Sequence, residues 1–255
     1  MYREQICTLN PGEVIYLKAV RQQNGTQIYR IATTHYYNIS GNINSIIYGD
    51  NFTNDAYFYE ATEQYTPIFS NSGVISAKNL VLPAEKLCEC CYKEMFKSAT
   101  YLNEPPKLKS THLAKGCYNS MFDGCNYLVK SPELPAKELA TYCYEGMFRY
   151  CYALQANISL PAKKLVDGCY HEMFYFCNNL KYIKCDAKYN ISEDPTYTLK
   201  GMLVKDTTIP GTTYGTFIYK SDSMIDWQQD NISYGSIASG NRLIQIGGRW
   251  NFQTE

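Results

Sequence analysis

The sequence has no excess of either charge. Its 24 basic residues balance 24 acidic residues, so it lacks the basic surplus that is typical of a nucleic-acid binder or of a protein held on an anionic membrane. It also lacks an apolar run long enough for a membrane-spanning helix. We therefore expect no nucleic-acid partner and no membrane insertion. At 255 residues the chain can hold one elongated domain with covered ends.

The first residues also lack the pattern of an export signal. Residues 1–7 contain no basic segment followed by an apolar one, and Cys7 lacks the apolar stretch of a lipoprotein signal. Two interpretations stay open: a mature exported protein, or a protein made in a cytoplasm. The starting methionine favours the second.

What the sequence does contain is one phrase repeated four times. Cys-Tyr-x-x-Met-Phe begins at Cys91, Cys117, Cys143 and Cys169, so that each copy starts 26 residues after the previous one. A fixed period of this length is typical of repeat architectures, in which neighbouring units stack and bury a shared core.

Apolar residues recur at fixed offsets from these repeat cysteines. The offsets −4, 0, +4, +8 and +11 are leucine, cysteine, methionine, cysteine or alanine, and leucine, in that order, and together they form one stripe of a helix. Leu-Pro-Ala, beginning at Leu82, Leu134 and Leu160, predicts a turn after a short extended segment, because proline stops a helix. Each repeat is therefore predicted to contain one short strand and one helix. The +2 position is mixed, and we expect its side chains to be solvated: Lys93, Asn119, Glu145 and His171.

The pattern Leu-x-x-x-Cys-Tyr-x-x-Met-Phe-x-x-Cys-x-x-Leu resembles the BspA-like, or Treponema-type, leucine-rich repeat over residues 82–185. Such repeats are abundant in surface proteins of gut Bacteroidales and in proteins of their phages and mobile elements. The resemblance implies an α/β repeat solenoid, that is, a short leucine-rich-repeat stack. It also implies binding or adhesion, and it offers no catalytic residues to carry over.

The flanks of the repeats are predicted to be β-rich. Alternating β-branched and aromatic residues, separated by turn signals, predict strands and hairpins at 14–17, 28–31 and 46–48, and strands at 216–219 and 243–246. Residues 199–203 imitate the Met-Phe phrase with three residues inserted. The sequence thus predicts a β-rich N-terminal cap (1–77), four leucine-rich repeats (78–185), and a degenerate repeat with a β-rich C-terminal cap (186–255).

The 11 cysteines invite a metal or disulfide interpretation. Cysteines eight apart in one repeat would lie about 12 Å apart along a helix, too far for one zinc ion or one disulfide. Cys88, Cys90 and Cys91 are dense enough to bind a metal by accident, but nothing else converges on them. An identical cysteine in every repeat suits a small buried hydrophobe, so we favour core filling and predict no metal and no cofactor.

Catalytic signatures are few. The histidines His35, His112 and His171 are scattered, and no glycine-rich phosphate loop follows a predicted strand. Cys169 and His171 could mimic a nucleophile and its base. The same cysteine recurs in three other repeats without a histidine, however, so packing explains it better. We predict no catalytic residues and no enzyme activity, and a hydrolase is the least favoured alternative.

The 25 tyrosines are more informative. Tyrosine offers contact area with a polar group at its end, and it is enriched in binding surfaces. Half-buried packing between neighbouring helices is an equal alternative. The non-repeating tyrosines are Tyr101, Tyr127, Tyr142, Tyr150, Tyr152 and Tyr175. From the third and fourth repeats we select a binding set for a protein or a cell-surface glycan: Tyr142, Arg149, Tyr150, Tyr152 and Tyr175.

Three functions follow as hypotheses. The first is a virion protein of a phage that infects gut Bacteroidales, acting as a fibre, decoration or host-attachment protein, and located in the virion. The second is an exported BspA-like adhesin on the bacterial cell surface. The third is a hydrolase. We expect a shallow binder that acts as a homo-oligomer or as part of a larger assembly.

Overall fold

The computed structural model describes residues 10, 12–14, 31, 35–48, 67–205, 215–225, 227 and 250–255. Strands and turns dominate these residues, with two short helices. None of the described helices is long and apolar enough to cross a membrane. The elements in chain order are β1 (Tyr37–Asn42), α1 (Ser45–Tyr48), β2 (Val74–Val81), β3 (Asn157–Leu160), β4 (Lys164–Leu165), β5 (Tyr182–Cys185), β6 (Tyr189–Asn190), α2 (Pro195–Leu199), β7 (Gly215–Tyr219) and β8 (Trp250–Thr254).

All of these strands pair in parallel. β1 pairs with β2, β4 pairs with β6, and a four-stranded sheet has the order β3-β5-β7-β8. Ile158 of β3 lies opposite Ile183 of β5, and an isolated parallel bridge joins His112 to Glu138. Partners in the repeat region thus lie 25 or 26 residues apart in sequence, which matches the sequence period.

Equivalent side chains of consecutive repeats lie against each other. We name the repeats unit 1 (82–107), unit 2 (108–133), unit 3 (134–159) and unit 4 (160–185). The phenyl rings of Phe96 and Phe122 stack with centroids 5.6 Å apart, and Phe122 stacks on Phe148 at the same distance. The repeat cysteine and the tyrosine, methionine and phenylalanine that follow it are buried in all four units. One continuous core therefore runs through the units.

The helix predicted for each unit is wrong. The segment is a run of tight turns that alternate hydrogen bonds within a unit with hydrogen bonds to the next unit. The N–H of Met95 donates to the carbonyl of Tyr92 at 3.3 Å, whereas the N–H of Phe96 donates to the carbonyl of Met121 in unit 2 at 2.9 Å. Half of the backbone donors in the turns therefore join neighbouring units, as they would in a parallel sheet.

Left-handed residues explain why no helix forms. In unit 1 every fourth residue has a positive φ: Cys90 (52°), Glu94 (55°) and Ser98 (57°). A left-handed residue in each turn interrupts a right-handed helix, because the two conformations occupy separate regions of φ/ψ space. The four-residue spacing of the apolar positions, which suggested a helical stripe, comes from these turns.

The predicted strand forms in only two of the four units. β3 and β5 lie in units 3 and 4, while residues 102–108 and 128–134, the corresponding segments of units 1 and 2, hold no described strand. The prediction is wrong for those two units because proline interrupts them, at Pro105, Pro106 and Pro132. Proline has no N–H to donate to a ladder.

Two further predictions, both for the segment before the repeats, are wrong. Residues 46–48, predicted as a strand, belong to α1. The side chain of Asn42 accepts the N–H of Asn44 at 2.9 Å, and the Ser45 hydroxyl donates to the Asn42 carbonyl at 2.8 Å, which is turn chemistry that starts a helix. β1 pairs in parallel with β2 and not in a hairpin. The strand predicted at 216–219 is confirmed by β7, and 15–17, 28–30 and 243–246 lie outside the described residues.

The stack of backbone contacts continues beyond unit 4. The N–H of Phe174 donates to the carbonyl of Met202 at 3.1 Å, as the N–H of Phe148 does to the carbonyl of Met173 at 2.9 Å. Met202 therefore takes the position of the repeat methionine. α2 lies just before this position, and its first turn is capped by the Asp194 carboxylate.

Candidate functional site

Three tyrosines form an exposed ladder of rings. Tyr36, Tyr101 and Tyr127 are 59%, 41% and 58% exposed, whereas the repeat tyrosines and phenylalanines are buried. The ring centroids of Tyr36 and Tyr101 lie 4.5 Å apart, and those of Tyr101 and Tyr127 lie 5.4 Å apart. We call these three residues the tyrosine ladder. Its aromatic surface faces solvent at regular intervals.

The position of the ladder follows from the chain around it. Tyr101 and Tyr127 each precede a fully buried leucine, Leu102 and Leu128. Each leucine closes a turn by donating its N–H to the carbonyl three residues earlier, and the exposed tyrosine just before it points away from the core. The N–H of Tyr127 donates to the carbonyl of Thr100 at 3.1 Å, which holds the two segments in register. Both tyrosines are among the non-repeating tyrosines of the sequence, but they are not in the predicted binding set. Their place before the +11 leucine is the signal that could have found them.

The positions two residues beyond the ladder carry one charged side chain in the four units. Two residues beyond each ladder position, units 1 to 4 expose Asn103, Val129, Gln155 and Lys181. Val129 is 42% exposed. Amides and an apolar side chain therefore border the tyrosine rings, with one lysine in unit 4.

The structure brings four of the five predicted binding residues together. The ring of Tyr150 contacts the rings of Tyr152 and Tyr175, at centroid distances of 6.2 Å and 5.7 Å. The guanidinium carbon of Arg149 lies 5.8 Å from the Tyr150 centroid. These residues come from adjacent units, as their spacing predicts.

Most of this predicted set is occupied by contacts within the protein. Arg149 donates to Asp123 in unit 2 and to Glu172 in unit 4, both at 2.8 Å. Burial opposes the charge of Arg149, but the two carboxylates outweigh it and raise the pKa of the guanidinium. Tyr175 is only 6% exposed. Ligand binding by this set stays a prediction, and Arg149 has a clear structural role as a bridge between units.

Tyr142 lies apart from the other four. Its ring meets the ring of Tyr197 edge-on at 6.2 Å. A Cβ atom added to Gly168 would lie 2.1 Å from the Tyr142 ring, so the tyrosine covers that glycine. Tyr142 therefore packs unit 3 against unit 4.

The +2 positions form a hydrogen-bonded column and are not simply solvated. The Asn119 amide donates to Glu145 at 2.7 Å, and the other oxygen of Glu145 lies 3.0 Å from Nδ1 of His171. That oxygen also accepts the Tyr197 hydroxyl at 2.9 Å, and the His171 ring stacks on Tyr197 at 4.0 Å. Burial raises the pKa of Glu145, but the hydrogen bonds from His171 and Tyr197 bring it below its ordinary value.

This column supplies part of an acid–base arrangement that the sequence did not predict. A carboxylate that orients an imidazole is one component of many hydrolytic sites. Among the described residues, no serine, threonine or cysteine side chain hydrogen-bonds to His171. Cys169, the nucleophile considered from sequence, is fully buried, and burial raises the pKa of its thiol to about 12. The column therefore ties units 2, 3 and 4 to α2.

The cysteines lie where a core residue would. Eight of the ten described cysteines are buried, and Cys88 and Cys90 are half-buried. The prediction that the repeat cysteines fill the core is confirmed by their burial. Within the described part of the chain, no three histidine, cysteine, aspartate or glutamate side chains are grouped to hold a metal ion.

Comparison with known proteins gives no relative. No family model, no curated protein and no solved structure matches this chain. The resemblance to BspA-like repeats therefore depends on the repeat sequence itself.

Proposed function

We propose that this chain is a non-enzymatic recognition or assembly protein that binds its partner through the tyrosine ladder. One observation carries the proposal: three tyrosine rings in contact with one another are 41% to 59% exposed beside a core that buries the repeat aromatics. Contiguous exposed aromatic surface is typical of interaction sites, because tyrosine gives a large contact area at a small cost in side-chain entropy.

We also propose that units 1–4 form a leucine-rich-repeat solenoid of the BspA-like type, flanked by β-rich ends. The stacking of residues about 26 apart supports this, since it repeats along the phenylalanine, tyrosine and backbone contacts of all four units. In this proposal the segment of each unit that was predicted as a helix is built from turns. Neighbouring units then present the same outward position in a column, as the ladder requires.

The biological setting we propose is that of a phage virion fibre, decoration or host-attachment protein, with an exported bacterial adhesin as the alternative. The sequence resemblance supports both. A shallow ladder gives weak binding at each site, so attachment would depend on several copies in one assembly. Identifying the chain's peptides by mass spectrometry in purified phage particles favours the virion. Finding them in cell envelopes but not in particles favours the adhesin.

Binding to cell-surface material tests the ladder. The purified chain, displayed in many copies on beads, would be mixed with cell-envelope fractions from gut Bacteroidales. We expect the double variant Tyr101→Ala/Tyr127→Ala to lose most binding. Tyr189→Ala is the matched control, because Tyr189 is 44% exposed in β6 and lies outside the ladder. If the folded double variant binds as the wild type does, the ladder is not the recognition surface.

A further inference from the structure

The tyrosine ladder ends at Tyr127 in unit 2 and does not continue into unit 3. Ala153 and Asn179 occupy the positions that Tyr101 and Tyr127 hold in the first two units. Backbone contacts keep this column in register, because the N–H of Ala153 donates to the carbonyl of Asn126 at 3.2 Å. The side chain of Asn179 donates to the carbonyl of Tyr152 at 2.8 Å. At this position the side chain is therefore an aromatic ring in units 1 and 2, a methyl group in unit 3 and an amide in unit 4.

The last ring of the ladder has one free face. Tyr101 lies between two tyrosine rings and is 41% exposed, whereas Tyr127 has a ring on one side and is 58% exposed. Among the described residues, the ring of Tyr127 contacts no aromatic ring besides that of Tyr101. The equivalent position in unit 3 is Ala153, whose methyl group cannot continue the ladder. We call the space over Ala153, between Tyr127 and Asn179, the ring slot.

The spacing of the ladder corresponds to one six-membered ring per unit. Tyr101 and Tyr127, one unit apart, are spaced by 5.4 Å, and stacked rings in general lie about 4.5–7 Å apart. A ring placed over Ala153 would therefore continue the ladder at its existing spacing. The methyl group of Ala153 would lie beneath it and the Tyr127 ring beside it.

The groups around the ring slot select the chemistry of that ring. Gln155 offers an amide, which both donates and accepts hydrogen bonds, and Asn179 offers its amide oxygen, since its nitrogen donates to the Tyr152 carbonyl. Val129 adds an apolar side chain that is 42% exposed. No carboxylate occurs at the ladder position or two residues beyond it in units 2 to 4. A pyranose fits this set, since its C–H face is apolar and its hydroxyls lie around the rim. An aromatic side chain of a protein would stack equally well, but it would leave the two amides unpaired with the ligand.

We propose that the ring slot binds one pyranose ring of a neutral polysaccharide, with the sugar's apolar face on Tyr127. The inference rests on the proposed function and names its ligand class. One ring in an open slot gives weak binding, so a polymer that offers the same ring many times to many copies of the chain is the fitting ligand.

Affinity electrophoresis of the full chain tests the ring slot. The gels would contain dextran, mannan or xylan as neutral probes and alginate as an acidic probe. Tyr127→Ala removes the wall of the slot, whereas Ala153→Tyr fills the slot by extending the ladder and removes no large wild-type side chain. Tyr189→Ala is the control, because Tyr189 is 44% exposed in β6 and lies outside the ladder. Thermal melting would verify that each variant is folded.

We expect at least one neutral polysaccharide to retard the wild type and Tyr189→Ala equally. Tyr127→Ala and Ala153→Tyr should each weaken binding about tenfold, the effect of losing roughly one aromatic contact. Binding by Ala153→Tyr at wild-type strength would overturn the ring slot, and so would retardation by alginate alone.

Envelope binding separates this inference from the proposed function. Suppose Tyr101→Ala/Tyr127→Ala abolishes envelope binding, while Ala153→Tyr binds normally and no polysaccharide competes. The ladder then recognises a protein, and the ring slot is wrong although the proposed function stands. If the double variant still binds envelopes as the wild type does, both proposals fail together.

Discussion

The thiol of Cys151 donates a hydrogen bond to the carbonyl oxygen of Phe122, 3.1 Å away and one unit earlier. The thiols of Cys125 and Cys177 make the same contact with the preceding unit's phenylalanine, at 3.1 Å and 2.9 Å. Unit 1 has Ala99 at this position. Cysteine here fills the core and also links the side chain of one unit to the backbone of the unit before it.

Replacing Cys151 by alanine should lower the free energy of unfolding by about 1–2 kcal/mol, because it removes one hydrogen bond and a small buried volume. Urea titration measures the loss. Cys88→Ala is the matched control, since Cys88 is half-buried, and it should cost less. An unchanged unfolding midpoint for Cys151→Ala would show that the thiol contact contributes nothing.

Replacing Phe122 by alanine should lower the free energy of unfolding far more than replacing the exposed Tyr127 does. The ring of Phe122 is fully buried between Phe96 and Phe148, so Phe122→Ala should cost about 3–5 kcal/mol through the cavity it leaves. Tyr127→Ala should change stability by less than about 0.5 kcal/mol, because its ring lies on the surface. A similar loss for both variants in urea titrations would contradict the assignment of core and surface.

The period and the buried skeleton could be predicted from the sequence, but the backbone of each unit could not. Identical residues every 26 positions require identical surroundings, which is why burial of the repeat residues follows from the pattern. A run of four-residue turns places apolar side chains almost as a helix does, so spacing could not distinguish the two.

We call the equivalent positions of the four units, 26 residues apart, a column. A signal for the turns appears when the residues within each column are compared. Each left-handed position is a glycine in at least one unit: Gly116 and Gly168 in the first column, Gly146 in the second and Gly124 in the third. Glycine adopts positive φ without the steric cost of a Cβ atom. One glycine in a column thus marks the conformation of all four copies, including copies that carry Glu94 or Ser98.

The binding set was harder to predict because it depended on the helix. With a helix assumed, Arg149 and Tyr175 fall on an outer face. In the turn structure Arg149 bridges two carboxylates and Tyr175 is buried. Tyr127 lies in the turn that the N–H of Leu128 closes by donating to the carbonyl of Cys125, and its side chain faces solvent while that of Leu128 is buried.

Gly168 and Tyr142 should behave as a coupled pair. Gly168 has a φ of 59°, and a Cβ atom there would lie 2.1 Å from the Tyr142 ring. Gly168→Ala should therefore cost more than the roughly 1 kcal/mol of a left-handed alanine. Adding Tyr142→Ala should recover part of the loss, because it removes the clash. Strictly additive losses in the double-mutant cycle would show that the two residues do not press on each other.

Arg149 should matter to stability more than an exposed ion pair does. Its partner Asp123 has a side chain that is 7% exposed, so Arg149→Met leaves a buried carboxylate without its cation. We expect a loss of about 2–3 kcal/mol, below the value for fully buried pairs because Arg149 is itself 29% exposed.

Two further variants test this account of Arg149. Asp123→Asn in the Arg149→Met background should restore part of the stability, since it removes the unpaired charge. Lys78→Met is the surface control, because Lys78 and its partner Glu104 are 56% and 44% exposed, and it should change little. Equal losses for Arg149→Met and Lys78→Met would mean that burial of Asp123 has no energetic consequence.

The buried thiols should make the protein unstable in alkali. Burial raises the pKa of Cys117, Cys169 and Cys185 from 9.0 to about 12. Their stabilising effect is complete below pH 9.0, where the thiols are protonated in both the folded and the unfolded chain. As the pH rises towards 12, only the unfolded chain releases these protons. The free energy of unfolding should then fall by about 1.4 kcal/mol per pH unit for each thiol. Burial likewise raises the pKa of Tyr118 well above 10.0, so this tyrosine adds to the loss in the upper part of the interval.

Urea midpoints measured across this interval, with a reductant present, should fall steadily. A double variant Cys117→Ala/Cys169→Ala should start less stable and show a shallower decline, because two of the titrating thiols are gone. A midpoint that stays constant from neutral pH to pH 12 would show that these thiols are accessible to solvent in the folded chain.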